Sequence, residues 1–161
     1  MQNIDLICLG KLNAGYYAAG VADYQKRLGA FCNFRIIELP EETIHEKNSS
    51  QAVIDKALEA EGKNILSHLR KGSALVALCV EGKQMTSPQL ASFLEDKALS
   101  GAGDVTFVIG SSHGLAPQVK QAAALKLSMS AMTFPHQLAR LMLTEQIYRA
   151  FTITKGIKYH K

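Results

Sequence analysis

Two short segments of this chain combine reactive residue types at spacings that could do chemistry. The first is Gly110-Ser111-Ser112-His113-Gly114, placed directly after the apolar run 104–109. Its G-x-S-x-G spacing is that of a nucleophile elbow, in which Ser112 would project from a sharp strand-to-helix turn and attack as a hydrolase nucleophile. The partners argue the other way. The acid that follows Ser112 is Glu145, and Arg149 one helical turn later accounts for it as an ordinary ion pair. No HGGG-like segment precedes the elbow to supply an oxyanion hole. A glycine-bounded turn explains the same pentapeptide without catalysis. The second segment is Thr154-Lys155-Gly156-Ile157-Lys158-Tyr159-His160-Lys161. There Tyr159 could stack on a base, His160 could relay a proton, and the lysines could hold phosphates. A frayed terminus accounts for the same residues.

Other chemistries find less support. Gly10 and Gly15 do not complete a dinucleotide fingerprint, and the histidines and cysteines lack metal-ligand spacing, so no metal is expected. Cys8, Cys32 and Cys79 sit in apolar segments and read as free buried thiols of a reducing compartment. No apolar stretch approaches the ~20 residues of a membrane span, and the N-terminus lacks the features of a signal peptide. A cytoplasmic protein with no membrane partner is expected. Charge is unevenly spread: residues 1–117 sum to −2, whereas residues 118–161 sum to +6, with Glu145 their single acid. That asymmetry suits a polyanion such as RNA, although a solvated basic face would look the same.

The elements that must position these residues alternate strand and helix. Strands are predicted over 4–9, 34–39, 74–80, 104–109 and 127–130. Helices are predicted near 14–28, closed by Gly29, and from a cap at Asn48, Ser49 or Ser50 to Gly72. Another begins with Ser87 as cap and Pro88 at its first position and ends near Gly101. A short helix follows over 117–125, and the last runs from His136 to Thr154. That last helix carries one apolar stripe of Leu138, Leu141, Met142 and Tyr148 and another of Leu143, Ile147, Ala150 and Phe151. Two stripes need two covers, and another subunit is the expected second cover. The expected architecture is one α/β domain over residues 1–161, a mostly parallel sheet flanked by helices.

Several motifs in order point to a family. They are Phe107-Val108-Ile109-Gly110, Gly114-Leu115, and Leu127-Ser128-Met129-Ser130-Ala131-Met132-Thr133-Phe134-Pro135-His136. Glu145-Gln146-Ile147-Tyr148-Arg149-Ala150-Phe151 and Tyr159-His160-Lys161 complete the set, with Tyr24, Lys26-Arg27-Leu28, Leu78 and Glu81-Gly82-Lys83 earlier. In these the chain resembles the RlmH family of SPOUT-class RNA methyltransferases over nearly its whole length.

The resemblance implies a homodimer whose C-terminal segment forms a trefoil knot, although chains as a rule avoid knots. It implies transfer of a methyl group from S-adenosyl-L-methionine to N3 of a pseudouridine in large-subunit (23S) rRNA, on assembled ribosomes. The donor's adenosyl part would lie against Leu78, Gly110, Met129, Ser130, Ala131, Met132, Thr133 and Phe134. Arg149, Tyr159 and His160 are the catalytic candidates, with His136 behind them. Arg140, Lys155, Lys158 and Lys161 are the candidates for holding RNA. The family usually has Gly-Gly where this chain has Gly110-Ser111. If the second position needs a positive φ, Ser111 carries about 1–3 kcal/mol of strain, and Ser111→Gly should bind the donor at least as tightly. A serine hydrolase and a non-catalytic RNA-binding dimer are the alternatives.

Overall fold

In the computed structural model, which describes residues 1–45 and 50–161, the apolar runs become the centre of a five-stranded parallel sheet of order β2-β1-β4-β3-β5. The strands are β1 (Asn3–Leu9), β2 (Asn33–Leu39), β3 (Ala74–Gln84), β4 (Val105–Ile109) and β5 (Leu125–Ser128). The helices are α1 (Gly15–Leu28), α2 (Gln51–Ser67), α3 (Ser87–Leu99), α4 (Pro117–Ala122) and α5 (His136–Thr154). Every residue of β4 is buried, because a parallel strand at the middle of a sheet is covered on both faces. Side-chain alternation sorts the core into two layers. Ile4, Leu6, Cys8, Val105 and Phe107 meet Leu28, Leu90, Leu94, Leu143, Ile147 and Phe151 of α1, α3 and α5. Ile7, Leu9, Val108 and Ala77 meet Ile65 of α2 and Val119 of α4 on the opposite face.

Helix α5 has the bounds the sequence predicts; its Leu143, Ile147, Ala150 and Phe151 stripe is buried in the core, and its Leu138, Leu141, Met142 and Tyr148 stripe is partly covered from within. A Cβ on Gly20 would stand 2.8 Å from Leu141 Cδ1, so the bare backbone of α1 lets α5 approach closely. Tyr148 packs against Tyr24 and Phe31 at ring distances of 5.8 and 6.0 Å. Leu138 and Met142 remain half-buried.

Several boundaries differ for identifiable reasons. The cap of α3 is Thr86, not Ser87: its side chain accepts Gln89 N–H while Gln89 reaches back to Thr86 N–H, a reciprocal box. Ser50 caps α2 by accepting Val53 N–H at 3.3 Å, whereas Asn48 and Ser49 lie outside the described residues. Helix α2 stops at Ser67, and Gly72, at φ +77°, instead turns the chain into β3. Gly29 closes α1 in the ordinary right-handed conformation. Helix α4 ends at Ala122, so β5 begins at Leu125, two residues before the predicted start. Strand β3 continues past Val80 because it bulges and resumes: Leu127 of β5 pairs with Leu78 and again with Lys83, leaving residues 79–82 looped out between.

Cys8 and Cys32 are buried as expected, and burial pushes each thiol up to about 12. Cys79 is a correction. It lies in the bulge and is only half-buried.

Candidate functional site

Three segments distant in sequence converge at the ends of β3, β4 and β5. They are the β3 bulge, the turn at residues 110–114 after β4, and residues 129–135 leading into α5. Together they enclose a cavity of about 750 Å³. Of the residues expected at the donor, Leu78, Gly110, Met129, Ser130, Met132, Thr133 and Phe134 line it. Ala131 does not; it is exposed. His136 lines the cavity from the first position of α5.

Local hydrogen bonds shape two of the walls. Ser130 Oγ accepts Met132 N–H at 3.0 Å and Ser128 Oγ donates to the Ser130 carbonyl at 3.0 Å, which bends the chain after β5. In the turn, Gly114 N–H donates to the Ser111 carbonyl at 2.9 Å, and Gly114 holds φ +88°. The reason for Gly110 differs from the expected one. Its Cβ would fall 2.3 Å from the Gly114 carbonyl oxygen, so the glycine lets the turn close on itself.

Ser111 is not strained. No non-glycine residue among those described has a positive φ, which removes the ground for expecting Ser111→Gly to bind as tightly. The side chain is buried, and its hydroxyl donates to Glu61 Oε1 at 2.9 Å. Burial raises Glu61 above the usual carboxylate range, against the opposing hydrogen bonds from Glu42 N–H and Ser111. Ser112, the would-be nucleophile, is exposed and makes a long 3.4 Å contact with Glu41 Oε1, where a hydrolase would place an imidazole. At the cavity's polar end Glu81 pairs with Lys120, which holds the Glu81 carboxyl below its usual range. Cys79, Glu81 and Lys120 also line the cavity, although the sequence does not mark them as donor contacts. The β3 bulge brings Cys79 and Glu81 there, α4 brings Lys120, and no spacing rule marks either.

The catalytic candidates gather elsewhere on α5. The helix closes in a Schellman motif, with Gly156 at φ +67°, Ile157 N–H bonding Thr152 O and Gly156 N–H bonding Ile153 O. The tail therefore folds back rather than fraying. Tyr159 packs edge-on to Tyr148 at 4.9 Å, and its hydroxyl lies 3.3 Å from that of Tyr24. Glu145 Oε1 collects Arg149 Nε at 2.9 Å, Arg149 Nη2 at 2.7 Å and the Tyr159 hydroxyl at 3.1 Å. The guanidinium also stacks 4.8 Å above the Tyr159 ring. Burial, then the hydrogen bond with Tyr24 and the Glu145 charge, push the Tyr159 phenol well up, so it stays protonated and donates. Arg149 Nη1 meets His160 Nδ1 at 3.2 Å. Arginine can only donate, so Nδ1 accepts and the ring proton sits on Nε2.

The structure thus joins Arg149, Tyr159 and His160 but not to the cavity of the same chain. Ala139 of α5 still lines the cavity, and Arg149 lies ten residues further on, about 15 Å along the helix. Lys155, Lys158 and Lys161 are exposed, as RNA contacts require. Arg140 is a correction. Only 2% exposed, it donates to Glu38 Oε2 at 2.6 Å and to the Gly10 carbonyl at 3.0 Å, bolting α5 to the ends of β1 and β2. Arg140→Met is expected to cost roughly 2–3 kcal/mol, less than a fully buried pair because Glu38 is 39% exposed. Denaturant unfolding and ribosome binding check this. Unchanged stability with weaker RNA binding would return Arg140 to the surface role.

Among the described residues no group of His, Cys, Asp and Glu is placed to hold a metal ion, and no helix is long and apolar enough to cross a membrane.

Comparison with known proteins adds the family. A family model described as "Predicted SPOUT methyltransferase" matches residues 2–160. A Streptococcus uberis protein named ribosomal RNA large subunit methyltransferase H is 47% identical over 160 residues, covering 99% of this chain and 100% of its own. Proteins of the same name from Limosilactobacillus reuteri and Ligilactobacillus salivarius are 45% and 46% identical with the same coverage.

Proposed function

Because the chain belongs to the SPOUT methyltransferase family, we propose that it methylates N3 of a pseudouridine in large-subunit (23S) rRNA, using S-adenosyl-L-methionine, on assembled ribosomes in the cytoplasm. The observation that carries this reading is the convergence of the β3 bulge, the 110–114 turn and residues 129–135 on one cavity. The residues present fit the donor. Leu78, Met129 and Phe134 offer apolar walls, while the backbone of two bent segments offers donors and acceptors for an adenine edge. The bound donor supplies an electrophilic methyl group on a sulfonium centre.

The chain's own residues must then orient the base and manage the N3 proton. Displacement at the methyl carbon is in-line, so positioning accounts for much of the rate. Arg149, held by Glu145 and stacked on Tyr159, can steady the negative charge that develops as N3 loses its proton. Tyr159 stays protonated and is a donor rather than the base. His160 offers Nε2–H toward solvent or base, so none of the three accepts the N3 proton, which passes to solvent water.

The same reading makes the enzyme a homodimer of single-domain subunits with a trefoil-knotted C-terminal segment. Return of α5 against α1 and α3, after residues 129–135 have passed the 110–114 turn, supports the knot. The ~15 Å of helix between Arg149 and the cavity of its own chain supports a dimer in which the tail of one protomer completes its partner's cavity. Exposed Lys155, Lys158 and Lys161 would hold rRNA.

The test is transfer of radiolabelled methyl from S-adenosyl-L-methionine to ribosomes lacking the modification, followed by nucleoside analysis. Label in N3-methylpseudouridine is expected. Label in another nucleoside would overturn the target, and absence of donor binding would favour a non-catalytic RNA-binding dimer.

A further inference from the structure

Behind the cavity wall lies a buried carboxylate that the reaction outlined above does not use. Glu61 of α2 is 4% exposed, and the groups around it among the described residues are hydrogen-bond donors and further acids. Its Oε1 accepts the Ser111 hydroxyl at 2.9 Å, and its Oε2 accepts Glu42 N–H at 2.9 Å. A buried acid that meets no cation among the described residues is an expensive way to fill space. What it supplies is direction, because two acceptor oxygens hold two donors from different segments in one geometry.

The held segment is the donor cavity's own turn. Ser111 bridges Gly114 across that turn, and the Gly114 carbonyl lies where any Cβ on Gly110 would stand. Fixing Ser111 therefore fixes all of residues 110–114. The next residue of α2 locks the other side. A Cβ on Gly62 would come within 2.9 Å of both Ala116 Cβ and Gln118 Nε2, so α2 lies flush against the start of α4. The turn is clamped between α2 and the cavity.

We propose that Glu61 is a positioning residue for the methyl donor, acting through Ser111 to hold the 110–114 turn at its working distance from the β3 bulge. The assignment rests on the methyl-donor reading above. A bond that served the fold alone would change the melting temperature and leave donor affinity of the folded protein intact. A positioning bond changes the affinity itself.

The test is calorimetric titration of S-adenosyl-L-methionine and S-adenosylhomocysteine into the full-length native protein, Ser111→Ala, Glu61→Gln and the double variant. Each titration is run well below the melting temperature measured for that variant. Each single variant is expected to bind roughly tenfold more weakly, the scale of one hydrogen bond to a charged acceptor. The double variant is expected to bind no more weakly than Glu61→Gln, since both remove the same link. In turnover, the Glu61→Gln defect falls on the KM for the donor and not on that for ribosomes. Ser111→Thr, which keeps the hydroxyl, restores binding relative to Ser111→Ala. If Glu61→Gln does not fold, Ser111→Ala carries the test, because it removes only a hydroxyl. Native affinity in folded variants, or additive losses in the double variant, would overturn the assignment alone. A native protein that binds neither ligand would overturn the donor reading and this assignment with it.

Discussion

Arg149→Met is expected to slow methyl transfer by roughly a hundredfold or more while donor affinity stays at the native level. The guanidinium is tied to Glu145 through Nε and Nη2, to His160 through Nη1 and to the Tyr159 ring through its face. A lysine has one ammonium and no planar fork, so it cannot reproduce that set, and Arg149→Lys should rescue little. Neither Arg149 nor its partners Glu145, Tyr159 and His160 line the donor cavity of their own chain, about 15 Å away along α5, and at the partner's cavity the guanidinium would face the acceptor base rather than the donor, which is why binding should survive. Single-turnover transfer measured beside calorimetric donor binding separates the two effects. Parallel loss of both would mean that Arg149 supports the fold rather than the chemistry.

The second large effect belongs to Gly110. In Gly110→Ala the new methyl would stand 2.3 Å from the Gly114 carbonyl oxygen and 2.6 Å from its carbon, both backbone atoms. The turn must open, at a cost of about 1–3 kcal/mol or more. Donor affinity should fall at least about tenfold with it. Gly114→Ala is the informative contrast. Nothing lies within 4 Å of its Cβ, so its penalty is the φ of +88° alone, about 1–2 kcal/mol. Melting curves and donor titrations on both variants rank them. A larger loss in Gly114→Ala would show that backbone conformation, and not closure of the turn, shapes the cavity.

What could be read in the sequence follows from how local its causes are. The continuous apolar runs of β3 and β4 and the bounds of α5 depend on periodicity within one segment, and they are legible there. Thr86 illustrates a near miss: the reciprocal box needs Gln89 three residues on, a local signal that the adjacent Ser87-Pro88 obscures. Arg140 was not legible as a core residue, because its acceptors Glu38 and Gly10 stand 102 and 130 residues away. The role of Ser111 depends in the same way on Glu61, 50 residues earlier. Cys79 reaches the cavity only because β3 bulges against β5, a property of the pair and of neither strand alone. The tail looked free to fray because Gly156 acts as a helix stop only when the residues after it find Tyr148 and Tyr24 to pack on.

The strand order also bears on how the chain comes into being. The middle of the sheet is the pairing of β1 with β4, in register from Ile4 opposite Val105. While the nascent chain emerges, β1 can pair only with β2, leaving its other edge bare. At about 5–20 residues per second, roughly 5–20 s pass before β4 arrives to close that edge. For that interval an apolar strand waits with unpaired backbone groups, the condition under which chains associate with one another or engage chaperones. The last strand and α5 come later still, so the donor cavity and then the Arg149–Tyr159–His160 cluster are the final parts of the molecule to be assembled.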